Sequence, residues 1–386
     1  MVVIARRSLL AAAAGALLLE TAAGRTIVRA ATAADPLGPW AAAPASRHPD
    51  WRVRAASWAV LAPNPHNRQP WLFELPADGS VVLRCDLDRR LPATDPRDRQ
   101  ITIGLGCAVE LFRLAAAAEG IALAVNPFPE GAPQGRLDGR PVARLARIAA
   151  VVAPDPLLAH ALARRSAKVP FDTSRPIGAR ALAGLAVAAG GICRTTEDPA
   201  LVTPLRDLVW RAWMVELETP AAHGETVALM RLGSAAVAAS PDGISVYGPG
   251  VDPLVAQGIV TRESFLAPGG AGHDVMVSRY RPMLAATAAY VWTESAGDDA
   301  PAALAAGMQW LRLNLATTAA GLALHPVSQA LQEYPEMAAS YAELHALLGV
   351  RGGRIQMLGR LGHLPADARA PGPTPRWPAE SRIVAR

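Results

Sequence analysis

Cysteine is scarce: three residues in 386, Cys85, Cys107 and Cys193, far apart and odd in number. With no Cys-x-x-Cys pair and no Cys/His cluster at metal-binding spacing, neither a disulfide framework nor a zinc site is implied, and all three read as small buried hydrophobes. Charge is sparse as well, at 18% of residues, and the net charge of +5 is spread along the chain without a basic block. A nucleic-acid partner, which calls for a clustered basic stripe, is therefore not expected. No Ser-His-Asp order and no paired carboxylates stand out, so any redox or transfer chemistry would have to come from a bound group.

What the chain has is apolar bulk and an address. Hydrophobic residues make up 51%, enough to bury a sizeable core, and the length suggests about two domains. Residues 1–34 resemble a twin-arginine export signal: Ala5-Arg6-Arg7-Ser8-Leu9-Leu10, an apolar run through Leu19, then Ala31-Thr32-Ala33 ahead of Asp35. The run is interrupted at Glu20 and falls short of the roughly 20 apolar residues of a membrane span. The expected partner is the twin-arginine export machinery, the expected location periplasmic or extracytoplasmic, with no stable membrane anchor after cleavage.

Periodicity predicts a mixed α+β chain. A helix is expected over Trp51–Leu61, strands over Trp71–Leu75 and Val81–Asp86, a long apolar helix over Thr102–Glu119, and strands at Ile121–Val125 and Arg144–Val152. Further along, a helix is expected from Pro156 to Ala167, then helices with charged faces through Arg231. A Gly/Pro-rich excursion over Ser240–His273, a strand at Ala289–Glu294, a helix over Pro301–Ala320 and a strand at Arg354–Leu361 complete the pattern. The charges Arg211, Glu216, Glu218, His223, Glu225 and Arg231 read as a solvated helix face or, with the excursion, as a lid.

The chain repeats itself. Gly106 through Gly120-Ile121-Ala122-Leu123 is echoed by Gly307 through Gly321-Leu322-Ala323-Leu324, each a Gly-containing helix closed by glycine and followed by a strand. A diverged tandem duplication is expected, with halves at 47–155 and 156–386 and a lid insertion around 205–275 in the second.

Several motifs resemble those of the nitroreductase family. Arg164-Arg165-Ser166-Ala167-Lys168 with Pro170-Phe171-Asp172 is similar to the family's opening motif, and Ala62-Pro63-Asn64-Pro65-His66-Asn67-Arg68-Gln69-Pro70-Trp71 to its next one. Arg360-Leu361-Gly362-His363 with Thr374-Pro375-Arg376 is similar to its closing strand and tail. The export signal and joined halves resemble, more narrowly, the Acg-type branch of nitroreductase-like flavoproteins. The resemblance implies two diverged nitroreductase-like copies with mixed and antiparallel sheets packed on helices. The first half has His48-Pro49-Asp50-Trp51-Arg52 where the arginine motif belongs, and the second has no Asn-x-Gln-Pro-Trp. The halves are thus complementary, and a pseudo-dimer in one chain with a single composite FMN site is expected.

In that reading Pro63, Asn64, Asn67 and Gln69 serve the flavin ring, the amides matching its pyrimidine edge. Arg164, Arg165, Ser166, Lys168 and Arg376 serve the FMN phosphate, and Val327, Ser328 and Gln329 lie near the ring's hydride-carrying nitrogen. Without the resemblance, the loop is a proline-stiffened helix end and the arginine pair a solvated helix face. The function implied is an FMN-dependent oxidoreductase passing two electrons from a small-molecule donor to a small acceptor. The alternative is a protein that holds FMN without turnover.

Overall fold

The computed structural model describes residues 17–22, 25–30, 35–191 and 193–384. Two compact units emerge, residues 1–35 and 36–386. In the first, Leu17–Ala22 and Arg25–Ala30 pair as an antiparallel hairpin. The Arg6-Arg7 pair and the Ala31-Thr32-Ala33 stretch of the expected export signal lie outside the described residues.

The second unit is built around two long helices, Arg99–Ala118 and Ala300–Ala319. The first is apolar on nearly every side because nearly every side is buried, as expected of a core helix. The second starts cleanly, with the Asp299 carboxylate accepting the Ala302 N–H. Gly120 and Gly321, at φ 73° and 67°, follow the two helices in the left-handed conformation that glycine adopts without cost. The helices cross where Gly106 meets Gly307. A Cβ on Gly106 would stand 2.1 Å from the Leu304 carbonyl oxygen, and one on Gly307 2.1 Å from that of Ile103. The glycines of the sequence echo are therefore the contact between the two repeats, and the Cys107 thiol donates to the Gly307 carbonyl across it (3.1 Å).

Each helix belongs to a sheet of the same plan. Trp71–Glu74, Val81–Cys85, the first long helix, Leu123–Pro127 and Ala143–Arg147 follow one another in the chain. In space the strands run third, fourth, second, first, all antiparallel. Cys193–Thr196, Ala289–Ser295, the second long helix, Ala323–Pro326 and Arg354–Gly362 repeat both the chain order and the spatial order, again antiparallel throughout. A helix precedes each set, Trp51–Ala59 and Ala179–Ala188. The sheets differ in what joins their first two strands: a tight turn through Gly79 in one, residues 197–288 in the other. The C-terminal Ile383–Val384 then returns to the first sheet and pairs parallel with Trp71–Glu74.

Two local expectations fail. The helix expected from Pro156 to Ala167 is only a short 3-10 turn, Pro156–His160. The turn runs on to Arg164, whose N–H donates to the His160 carbonyl (3.0 Å), and only then is the backbone drawn out, with the Ala167 N–H donating to the Leu324 carbonyl (2.9 Å). The strand expected over Arg144–Val152 ends at Arg147. The Gly/Pro-rich excursion is more ordered than its composition suggests, since Ile244–Val246 pairs parallel with Met230–Leu232.

Candidate functional site

Between the two long helices and the segments around them lies a cavity of about 550 Å³, a size suited to a small molecule or cofactor. Its wall mixes both parts of the chain: Pro63–Asn67 and Ile103–Gly104 from one, Arg164–Lys168, Ser328–Gln329 and Arg376 from the other.

The proline-rich loop forms one side. His66, Asn67 and Gln69 have φ of 47°, 51° and 51°, left-handed geometry that costs non-glycine residues of order 1 kcal/mol or more each and persists only when the surroundings enforce it. The enforcement is visible. The Asn64 side-chain oxygen accepts the Gln69 N–H (2.7 Å), and the Gln69 amide donates to the Pro241 carbonyl (2.7 Å) while accepting the Trp377 N–H (2.8 Å). Asn67 donates to the carbonyls of Pro375 (3.1 Å) and Pro241 (3.3 Å) and accepts from Arg376. Gly104 gives the loop room, because a Cβ there would lie 3.0 Å from that of Asn64.

This changes the role of the amides. Pro63, Asn64 and Asn67 line the cavity, but Gln69 is fully buried outside it. The amide groups expected at a ring edge clasp the 241 and 375–377 segments instead, because the insertion and the tail bring carbonyls directly over the loop. A buried ion cluster tightens the clasp: Asp242 meets Arg68 at 2.6 Å, Arg231 at 3.0 Å and Arg89 at 3.4 Å. Burial would raise the Asp242 carboxyl, but the Ser240 hydroxyl and Arg231 hold it below the ordinary value.

One end of the cavity is an anion site by composition. Arg164 and Arg376 are buried, and the Arg165 and Arg376 guanidinium groups lie over the Trp40 ring at 4.8 and 5.6 Å. Among the described residues none of the three arginines pairs with a carboxylate. Burial, reinforced by their mutual repulsion, pushes Arg376 down to about 9 and Arg164 to about 10. The Arg376 Nε is buried without a partner. Uncompensated buried charge is expensive, and a multiply charged anion is the group that would offset it. Ser166 lines this wall too.

The other end is chemically different. Lys168 is the only lysine in the chain, and its charge acts on His66, His325 and Glu216 rather than on the arginines. Lys168 lines the same cavity as the arginines, and its action on the histidines and Glu216 goes beyond the phosphate role expected for it. Burial first, then nearby cations, hold His66 at about 4 and His325 well below its ordinary value, so both are neutral. His325 Nδ1 accepts from Arg360 (3.0 Å). Ser328 and Gln329 line the cavity. Val327 does not: it is buried, and its N–H donates to the Leu358 carbonyl (2.9 Å). The His66 Nδ1 and Gln100 Nε2, both on cavity-lining residues, are buried without hydrogen-bond partners.

Glu216 was missed. Its charged neighbours in sequence suggested a solvated face, yet it is buried and lines the cavity. The signal was available, since Leu205, Val209, Ala212 and Glu216 share one stripe of the helix Pro199–Glu218. His223 is buried as well, bonded to the Phe265 carbonyl (2.9 Å). Glu225 accepts the N–H groups of Ala93 and Thr94 (2.9 and 3.0 Å), tying the insertion to the first sheet's helix entry. Among the described residues no group of three or more His, Cys, Asp or Glu could hold a metal ion.

No protein-family model matches the chain. Among curated proteins, a putative NAD(P)H nitroreductase acg of Mycobacterium tuberculosis is 41% identical over 75 residues, so the match spans 19% of this chain and 22% of that relative's length. A second, putative NAD(P)H nitroreductase Rv3131 of the same species, is 29% identical over 336 residues, covering 83% of this chain and 90% of the relative. Among solved structures, the FMN- and NADPH-dependent nitroreductase NfnB from sphigopyxis sp. strain HMH overlaps 60% of this chain and 97% of its own, at 18% identity and a TM-score of 0.34. The FMN-dependent NfnB of Mycobacterium smegmatis in complex with NADPH overlaps 58% and 95%, at 16% identity and a TM-score of 0.33. Over most of its length, this chain is similar in sequence to a putative NAD(P)H nitroreductase of Mycobacterium tuberculosis.

Proposed function

We propose that this chain is an exported, FMN-dependent nitroreductase-like oxidoreductase with one flavin site between its two tandem halves. The observation that carries the reading is the arginine end of the cavity, where among the described residues no carboxylate pairs with Arg164, Arg165 or Arg376. Arg164, Arg165 and Arg376 would hold the phosphate, with Trp40 as their apolar backing. Pro63, Pro65, Ile103 and Gly104 offer a flat, rigid wall for the ring, and the unpartnered Gln100 amide and His66 Nδ1 offer polar groups that a heteroaromatic edge could satisfy. The flavin, when bound, supplies the hydride chemistry.

The chain's own residues bind, orient and shield. The clasped loop arrives rigid, so little ordering cost is left for binding. The insertion between 197 and 288 contributes Glu216, Gly243, Ile244, Ser245 and Arg279 to the wall, which narrows what can approach. The same covering favours a second reading, a protein that keeps FMN without turnover. The proposed halves are 47–155 and 156–386, the insertion serving as lid, and the proposed location is outside the cytoplasm. The donor class suggested by the relative's name is a reduced nicotinamide.

The test is the mature chain purified under mild conditions, its flavin released and quantified, then mixed anaerobically with NADH or NADPH and with menadione. One FMN per chain, bleached by nicotinamide and recoloured by menadione, is the expected result. One FMN that neither nicotinamide bleaches would favour the holding role, and a colourless protein that takes up no FMN would overturn both readings.

A further inference from the structure

The cavity contains a carboxyl group that the proposed flavin site leaves unassigned. Glu216 comes from the insertion and ends the buried stripe of its helix. Only neutral groups hold it: the Gln332 amide donates to Oε2 (2.9 Å) and the Thr226 hydroxyl to Oε1 (3.3 Å), with the Gln329 side chain also within hydrogen-bonding reach. Gln332 is fixed in turn by accepting the Tyr334 hydroxyl (3.0 Å). Among the described residues no cation forms an ion pair with Glu216. The charged and titratable groups facing it are Lys168 from the extended segment and Tyr334 from the turn after the second sheet's third strand. Among the described residues, the arginine cluster and Glu216 line the same cavity but share no hydrogen-bond partner.

Reducing a quinone-like acceptor by two electrons needs a proton as well as a hydride, and a carboxyl group in the cavity wall is placed to supply it. We propose that Glu216 is the proton donor to a neutral, oxygen-bearing acceptor bound in this cavity. The inference rests on the oxidoreductase reading above. The acceptor gains a hydride, supplied by the reduced cofactor, and a proton. The O–H bond of Glu216 breaks, an O–H bond forms on the quinone oxygen, the hydroquinone leaves, and the carboxylate is reprotonated from water.

Burial raises the Glu216 carboxyl above its ordinary value, against the hydrogen bonds of Gln332 and Thr226 and the charge of Lys168, so the acid form persists to higher pH than at an exposed glutamate. His66 and His325, though nearby, are held neutral and have little acid to offer.

The test uses the full chain and the variants Glu216→Gln and Glu216→Asp. In infrared difference titrations, read with or without FMN, the wild type should show a protonated-carboxyl band that outlasts those of surface carboxylates and is missing in Glu216→Gln. With FMN bound, menadione reduction in Glu216→Gln should fall about 100-fold in kcat with KM little changed. The alkaline limb of the pH profile should vanish with it and return in Glu216→Asp. A wild type without the band, or a Glu216→Gln variant with wild-type kcat and pH profile, would overturn the proposal alone. A wild type that takes up no FMN would overturn the oxidoreductase reading and the donor role with it, whatever the band does.

Discussion

The two sheets share chain order, spatial order and a long helix apiece, yet the cavity draws unlike parts from each. After Trp51–Ala59 the chain makes an eleven-residue loop with three strained residues before its first strand; after Ala179–Ala188 it reaches Cys193 within a few residues. Ahead of those helices the contrast reverses, with Arg164-Arg165-Ser166 before the second and His48-Pro49-Asp50 before the first. The two sheets share a common frame, and the cavity takes its proline-rich loop from one side of it and Arg164, Arg165 and Ser166 from the other. A frame is held by backbone pairing and core volume, which many sequences satisfy, whereas a site needs particular groups at particular points.

The comparison breaks most completely at the helix crossing. Gly106→Val would place a branched side chain where even a Cβ stands 2.1 Å from the Leu304 carbonyl. A loss of about 3 kcal/mol is expected for such overpacking, read as a fall in denaturation midpoint. A wild-type midpoint would mean that the two helices can separate without loss.

Asp242→Ala attacks the clasp that only the first half's loop possesses. It strands Arg68 in a buried position without its carboxylate, for which about 3 kcal/mol is expected, and it should make residues 240–243 accessible to protease. An equally stable, equally resistant variant would mean that the loop's strained conformation is held by its amides alone.

Arg376→Met sharpens the contrast between frame and site, because it should spare one and harm the other. Without ligand, relief of a charge that burial and Arg164 disfavour is offset by loss of the hydrogen bonds to Asn67 and the Ala62 carbonyl, so the melting temperature should change little. FMN affinity should nevertheless fall about 100-fold, or about 2.7 kcal/mol. Parallel changes in both would identify Arg376 as structural.

The smallest effect is on pH dependence. A carboxyl whose folded-state value is raised, as burial does to Glu216, gives full stability below the ordinary glutamate value and loses it as pH rises through the raised one. Glu216→Gln should therefore gain melting temperature relative to wild type as pH rises through that window. A pH-independent difference would mean that the carboxyl is not perturbed.

Much of the frame was legible in the sequence because it rests on periodicity. Both long helices, the hairpin from Trp71 to Cys85 and the strands at Ala289 and Arg354 follow from apolar spacing and terminal glycines, and the Gly106/Gly307 echo marked the helix crossing before any coordinates. The end of the helix expected from Pro156 to Ala167 departs from local propensity because Ala167 pairs with the Leu324 carbonyl, which draws out the chain after Arg164. Within the candidate site, residue types pointed to segments that line one cavity, but not always to the contacts those residues make. Gln69 and Asn67 have amides fit for a ring edge, and only the tertiary arrival of the Pro241 and Pro375 carbonyls turns them into a clasp. Lys168 follows the arginines in sequence and lines the same cavity, yet its charge acts on His66, His325 and Glu216. Glu216 was hidden among surface-like charges, although its place on an apolar stripe gave it away.

The most direct test of a single composite site is the FMN content of the purified chain beside that of Arg164→Ala, with Asn67→Ala as a partner from the other half. The account predicts one FMN per chain in the wild type and loss in Arg164→Ala. It predicts weakened binding in Asn67→Ala, whose loop would no longer hold Arg376 in place. Two FMN per chain, or one that survives both substitutions, would contradict it.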